Sequence, residues 1–217
     1  MSLWADFQTN PGRLIVKWKH YFPVYERYLH RYVNRPVILV EIGVGAGGSL
    51  AMWKRYLGPH AVIVGLDINP GCRAFEEDQV HVRTGDQSDA AFLDRVVAEF
   101  GRPDVVIDDG SHVMAHVNAS FDHLYPKLAR DGVYIVEDLH TAYAPEYGGG
   151  LRRPGTFIER CKGFLDQLNG EYTPGKSEKT FLTSHTLGLH VHDSIIVLER
   201  GNLTAPRAVQ SAGGKVS

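Results

Sequence analysis

Residues 37–50, VILVEIGVGAGGSL, constrain the fold more than any other stretch of this chain. Val37-Ile38-Leu39-Val40 is an apolar run rich in β-branched residues, the composition of a buried strand. It ends at Glu41, and glycines follow at 43, 45, 47 and 48 before Ser49 opens a helical pattern. Strand, tight glycine turn and helix bring a backbone close to a ligand and point helix N–H groups at it. The spacing is G-x-G-x-G-G, not the G-x-G-x-x-G of a dinucleotide fingerprint. Glu41 would repel a pyrophosphate but can accept hydrogen bonds from an ammonium. The stretch therefore favours a cationic nucleoside without phosphates.

Strands and helices alternate along the rest of the chain. Ser49 to Leu57 reads as a short helix closed by Gly58-Pro59. Ala61 to Leu66 is a second buried strand, ending at Asp67. An acid about 20 positions past the first glycines is placed to accept hydrogen bonds from ribose hydroxyls. The lesser alternative is that Asp67 simply opens the turn Asp67-Ile68-Asn69-Pro70-Gly71. Val80 to Arg83 is a third strand, and the helix Ala90 to Phe100 comes next, capped by Ser88 or Asp89. Asp104 to Ile107 and Val133 to Val136 are the fourth and fifth strands, with a helix from about Val113 to Lys127 between them and Ser111 as its N-cap. Thr156 to Leu168 reads as a helix, and Thr180–Thr183, Gly188–His192 and Ser194–Glu199 as antiparallel strands. This predicts an α/β fold, a doubly wound sheet that is mostly parallel with an antiparallel C-terminal edge.

Before the core, residues 1–12 read as irregular, and Leu14 to Tyr32 as an aromatic-rich helix interrupted by Pro23. Trp18, Tyr21, Tyr25 and Tyr28 recur at helical spacing. The segment either packs across the sheet or uses His20, Tyr21 and Phe22 to wall a substrate site. Residues 143–155, YAPEYGGGLRRPG, read as a mobile lid. The chain is expected to form a single domain, with an N-terminal helical segment (1–34), a core (35–200) and a tail (201–217) that frays.

The chemistry gathers at two strand ends. Asp108-Asp109 follows the fourth strand and Glu137-Asp138 the fifth. Ligands bind at the carboxyl ends of such strands. Carboxylates converging there with no Lys or Arg beside them in sequence repel one another, and a divalent cation is the natural remedy. All-oxygen ligation suits Mg²⁺, Mn²⁺ or Ca²⁺. The alternative is that these carboxylates cap helices or face solvent. His112, beside the first pair, is placed to act as a general base. His116 lies one turn further, as a structural or substrate-lining residue; His140 is a weaker candidate; His190 and His192 read as surface or core residues.

E-I-G-V-G-A-G-G-S resembles the first motif of class I S-adenosylmethionine-dependent methyltransferases, which have a Rossmann-like fold. D-D-G-S-H with E-D resembles a narrower group, the metal-dependent macrolide-sugar O-methyltransferases of the mycinamicin and tylosin pathways, within a wider family labelled cephalosporin hydroxylase. The resemblance covers residues 35–142. HYFPVYERYL loosely matches an H-Y-x-x-x-Y-E pattern preceding the core in some members. The resemblance implies that S-adenosylmethionine contacts Glu41, Gly43, Gly45, Ser49, Asp67, Asp86, Gln87 and Asp108, with Asp86 or Gln87 near the adenine. It implies Mg²⁺ (or Mn²⁺) on Asp109, Glu137 and Asp138, and His112 as base. The implied partner is a small-molecule hydroxylated acceptor, a sugar or other natural product. The chain as read is expected to lack the large extra N-terminal domain of some members, which puts an oligomer built on such a domain in doubt; a homo-oligomer stays open.

Three other readings compete. One is a catechol-like diol acceptor, another a nucleoside-binding module without catalysis. The third is hydroxylase chemistry on an iron held by His112, His116 and Asp109. Bulk properties narrow the field. Net charge is −2 over 217 residues, which gives nucleic acid no electrostatic footprint. No apolar run approaches a membrane span, and MSLWADFQTN lacks a signal-peptide pattern. The two cysteines, Cys72 and Cys161, make no disulfide framework, so a cytoplasmic protein with reduced thiols is expected.

Overall fold

The computed structural model describes residues 2–173, 179–204, 206–212 and 215–216. In chain order the elements are α1 (Leu3–Gln8), α2 (Phe22–Leu29), β1 (Val37–Ile42), α3 (Gly48–Leu57), β2 (Ala61–Asp67), β3 (Val80–Thr84), α4 (Ala90–Phe100) and β4 (Val105–Asp108). Then come α5 (Met114–Leu124), β5 (Val133–Val136), α6 (Phe157–Leu168), α7 (Phe181–His185), β6 (Thr186–His192) and β7 (Ile195–Arg200). The main sheet has seven strands in the order β3-β2-β1-β4-β5-β7-β6. β1 to β5 pair in parallel, and β7 joins antiparallel to both β5 and β6. The expected doubly wound sheet with an antiparallel C-terminal edge is the observed one.

Strand side chains alternate between two faces, so each central strand feeds two cores. Leu39, Ile63, Val105 and Ile135 face a core closed by α1, α2 and α3. Val40, Val64, Val106 and Val136 face a second core closed by α4, α5 and α6. This double burial explains why the strands read as continuous apolar runs. No helix among the described residues is long and apolar enough to cross a membrane.

Register positions the site. Ile42 lies opposite Asp108, and Asp108 opposite Val136. The next residue on each strand, Gly43, Asp109 and Glu137, therefore leaves the sheet side by side. The ladder continues into them: Asp109 donates its N–H to Ile42 and Glu137 donates to Asp108.

Three expected elements differ. Residues 3–8 form α1 rather than irregular chain; Ser2 Oγ caps it by accepting from Ala5, and Leu3 is fully buried. The segment 14–32 is not one helix. Residues 13–18 are an extended strap with Ile15 buried while Leu14 and Val16 are exposed, a period of two rather than 3.6. Helix begins only at Phe22, after a 3₁₀ turn over Lys19–Tyr21, with Pro23 in the first turn, where its missing N–H is tolerated. Where a strand over 180–183 is expected, helix α7 starts at Phe181 instead, with Thr180 as its N-cap and Thr183 Oγ1 accepting the Thr180 N–H. In the tail, β8 (Ser211–Ala212) pairs with β9 (Lys215–Val216); residues 205, 213–214 and 217 lie outside the described residues.

Candidate active site

The glycine turn and the ends of β2 and β3 frame a cavity of about 220 Å³, lined by Gly43, Asp67, Ile68, Asp86, Gln87 and His116. A second cavity of about 390 Å³ lies between the glycine turn and the strap, and reaches Asp109, His112 and Asp138. The two share Gly43, Asp67 and Gly110. Asp67 sits at their junction. Its Oδ2 accepts the backbone N–H groups of Val44 (2.9 Å) and Gly45 (3.2 Å), which tethers the glycine turn to β2. Its Oδ1 accepts the Asn69 N–H, so the turn expected after β2 forms as well.

The expected cofactor contacts divide into two groups. Gly43, Gly45, Asp67, Asp86 and Gln87 line the cavities. Asp86 also holds its own loop, accepting from the Ser88 N–H and hydroxyl, and this holds its carboxyl below the ordinary range. Asp89 caps α4 through Ala91. Glu41 and Asp108 are withdrawn into the core, at 0% and 1% exposure. Glu41 accepts the Ser49 hydroxyl at 2.7 Å and the Trp53 indole N–H at 3.1 Å, binding β1 to α3. Burial raises its pKa, opposed by Lys17 and Ser49. Ser49 borders the second cavity, but its hydroxyl is committed to Glu41.

Asp108 is a strut. It accepts from Gln87 Nε2 (3.1 Å), from the Ser120 hydroxyl and, more weakly, from Tyr134. Gln87 Oε1 in turn accepts the Ser111 N–H at 2.8 Å, fixing the 109–112 loop. Burial pushes the Asp108 carboxyl from its ordinary 3.8 to about 6, with Ser120 and Gln87 pulling the other way. A raised folded pKa means that the folded state favours the protonated acid. This group's contribution is complete below its unfolded value near 4 and is lost as pH rises through 6. The loss is about 3 kcal/mol at 1.36 kcal/mol per tenfold change. Asp108→Asn is expected to remove that fall from the difference between unfolding free energies at pH 4 and pH 7. Denaturant titrations giving parallel pH profiles for variant and wild type would refute the assignment.

Beyond the strut, Asp109, His112 and Asp138 each offer one ligand atom, all within 4.8 Å of one another. His112 Nε2 is 3.9 Å from Asp109 Oδ1 and 3.7 Å from Asp138 Oδ2. The three side chains are 20–23% exposed, open to the cavity yet mostly shielded. Both His112 (φ +58°) and Asp138 (φ +53°) occupy the left-handed region, which non-glycine residues enter at a cost and which clusters at functional sites. Thr141 holds both turns, donating to the carbonyl of Asp138 at 2.7 Å and reaching that of His112 at 3.4 Å. Tyr21 donates to Asp138 Oδ1 at 2.8 Å and accepts the Asp138 N–H. Of the aromatic trio in the N-terminal segment, only Tyr21 thus reaches the acidic pair; Phe22 is core, and His20 contacts the carbonyl of Asp193.

Glu137 turns the other way, toward a cation that the sequence pattern does not place beside the acidic pairs. The expected lack of a compensating charge is therefore corrected: Lys17 supplies it. Its ammonium lies 2.6 Å from Asp109 Oδ2, 2.9 Å from Glu137 Oε2 and 3.3 Å from Glu41 Oε1, and its side chain is 2% exposed. Burial works against this ammonium, but Glu137, Tyr25, Asp109 and Glu41 outweigh it and raise its pKa. Burial drives the Glu137 carboxyl upward, and Lys17 opposes it. Tyr25 Oη and Glu137 Oε1 are buried and influence one another electrostatically, yet neither has a hydrogen bond of good geometry.

The other histidines singled out in the sequence have partners of their own. His116 Nδ1 pairs with Ser111 Oγ, so Ser111 is a turn residue rather than an N-cap, and α5 starts at Met114 behind Val113. His116 is absent from the Asp109 cluster, so the His112–His116–Asp109 triad does not assemble among the described residues. His140 stacks on Trp18 and pairs with Ser194, and His190 pairs with Glu199. The 143–155 loop is held by hydrogen bonds that Gly149 donates to Ala144 and Gly150 to Ala142, the residue just before it. It brings the Tyr147 ring edge-on to His112 at 6.3 Å, a neighbour with no local signal in sequence. Cys72 and Cys161 are buried free thiols with pKa values pushed up to about 11 and 12.

Comparison with known proteins agrees with this architecture. Residues 40–139 match a family model described as a methyltransferase domain. The chain is 40% identical over 196 residues to 8-demethyl-8-(2-methoxy-alpha-L-rhamnosyl)-tetracenomycin-C 3'-O-methyltransferase of Streptomyces olivaceus, covering 85% of this chain and 50% of that protein. It is 38% identical to mycinamicin VI 2''-O-methyltransferase of Micromonospora griseorubida, covering 84% of this chain and 48% of that protein. The MycE methyltransferase of the mycinamycin pathway, solved with Mg, SAH and mycinamycin VI, superimposes with a TM-score of 0.81 at 36% identity, covering 93% of this chain and 53% of that one. The chain spans about half the length of the curated relatives it matches. It carries a methyltransferase domain with the class I S-adenosylmethionine-dependent methyltransferase fold, and the relatives it matches are named as O-methyltransferases.

Proposed function

We propose that this chain transfers a methyl group from S-adenosylmethionine to a hydroxyl on a sugar of a natural product, with Mg²⁺ or Mn²⁺ at Asp109 and Asp138. The observation that carries the reading is the pair of adjoining cavities with the Asp109–His112–Asp138 cluster at one end. Relatives named as sugar O-methyltransferases, and a neighbour holding Mg and SAH, support it. The residues fit both groups: two carboxylates open to the cavity suit a hard divalent cation, and the glycine turn with Asp67 suits a nucleoside. Glu137 belongs to the same acidic set, though it is engaged by Lys17 in this structure.

When bound, the cofactor supplies an electrophilic methyl on a sulfonium and the cation supplies positive charge beside the acceptor hydroxyl. The chain's residues align and deprotonate. The glycine turn and Asp67 would hold the cofactor, with Asp86 and Gln87 toward its adenine. His112 accepts the acceptor's proton on Nε2. Tyr21 and Thr141 hold Asp138 and His112 so that reacting atoms meet in line.

Calorimetry tests this reading. Wild type is expected to bind S-adenosylmethionine and, once loaded, a divalent cation; Asp109→Ala should keep the first and weaken the second at least tenfold. Cofactor binding with no metal in either protein would leave a nucleoside-binding module and remove the mechanism.

A further inference from the structure

Lys17 is a buried ammonium on a segment whose backbone makes almost no hydrogen bonds. In the strap 13–17, no backbone N–H donates a hydrogen bond among the described residues, and the one bond to its carbonyls is from Asn10 Nδ2 to Arg13. The strap is fixed from the side: Ile15 enters the core, and the carbonyls of Arg13 and Leu14 lie against Gly48, where a Cβ would come within 2.6 and 2.3 Å of them. Lys17 is its polar anchor, and the anchor points are Asp109, Glu137 and Glu41. One of these three, Asp109, is a ligand that the proposed function gives the divalent cation, and a second, Glu137, is the chain neighbour of the other ligand, Asp138.

A cation arriving at Asp109 must therefore meet an ammonium already 2.6 Å from its Oδ2. Two positive charges on one carboxylate repel, and little water is present to screen them around a side chain 2% exposed. The two also share Glu137, whose only close cationic partner among the described residues is Lys17. Without Lys17, Glu41 and Glu137 would be buried carboxylates with no counter-charge, a strongly unfavourable state.

We propose that Lys17 is an internal counter-ion that competes with the divalent cation for Asp109 and Glu137, so that binding the ion and loosening the 13–18 strap are one event. This inference rests on the metal reading above. It makes Lys17 a positioning residue that sets how tightly the ion is held, and it couples the ion to the strap wall of the cofactor cavity, which Leu14, Ile15 and Val16 line.

Mn²⁺ binding, followed by the paramagnetic resonance signal of the free ion, tests it against wild type, Lys17→Met and Asp109→Ala. Lys17→Met is expected to bind Mn²⁺ at least tenfold more tightly than wild type. Its metal-free melting temperature should fall, and Mn²⁺ should restore it. Independently, in wild type, trypsin cleavage after Arg13 and Lys17 should quicken when Mn²⁺ is added; this decides the matter if Lys17→Met does not fold. Equal or weaker Mn²⁺ affinity in Lys17→Met, or strap cleavage that Mn²⁺ leaves unchanged, overturns the inference while leaving the metal site standing. Absence of Mn²⁺ binding in both proteins overturns the metal reading, and the inference with it.

Discussion

His112→Ala is expected to lower kcat by on the order of 10²–10⁴-fold, the range of a positioned general base. The same variant should leave S-adenosylmethionine affinity unchanged, because His112 borders only the cavity end that holds Asp109 and Asp138. It should also separate two roles that the geometry allows for one ring. His112 Nε2 lies within ligand range of the acidic pair, so it could hold the metal rather than take a proton. A base leaves Mn²⁺ affinity within about twofold when removed, whereas loss of one of a few ligands weakens it by an order of magnitude or more. Turnover near wild type would remove His112 from the chemistry. Lost turnover with lost metal would make it a ligand and leave proton removal to another group.

Gly43→Ala has the largest expected effect on the fold. Gly43 sits at φ +91°, and a Cβ there would lie 2.1 Å from the Asp109 carbonyl oxygen and 2.7 Å from its carbon. Both obstacles are backbone, and that backbone is pinned by the Asp109 N–H donating to Ile42. Strain plus displacement should remove about 3 kcal/mol of stability or more. Since the clash pushes on Asp109 itself, metal affinity should fall too. Gly45→Ala is the internal control: φ is +53°, but nothing lies within 4 Å of the added methyl. Its expected cost is only the left-handed penalty, about 1–2 kcal/mol. Urea unfolding of the two variants checks the contrast. If Gly43→Ala unfolds within about 0.5 kcal/mol of wild type, the close approach of the two strand ends is wrong.

Both expectations depend on how sequence and tertiary structure share the site. Local chemistry makes β1, the glycine turn and α3 readable: a continuous apolar run rich in β-branched residues favours a buried strand, and glycines at 43, 45 and 47 supply positive φ where the chain turns. Strand ends are equally legible, so Asp67, Asp109 and Asp138 can be placed at the carboxyl edge from sequence alone. Parallel pairing then brings Gly43, Asp109 and Glu137 side by side, a consequence of register that alternating elements imply.

Direction is not legible. Glu41 has the pattern of a ligand contact yet turns into the core to bind Ser49 and Trp53, because a side chain on a buried strand points to one face or the other by register alone. Glu137 and Asp138 are adjacent, but the left-handed turn at Asp138 sends one toward Lys17 and the other toward His112. The strap hides Lys17 because I-V-K-W alternates over too few residues to compete with the helical spacing of Trp18, Tyr21, Tyr25 and Tyr28. Sequence by itself determined the sheet, the turn and the row of acids, since each is written in neighbours a few residues apart. Only the tertiary structure decided their charge balance: Lys17 meets Asp109 across 92 residues and Glu137 across 120, and no local preference encodes contacts at that range.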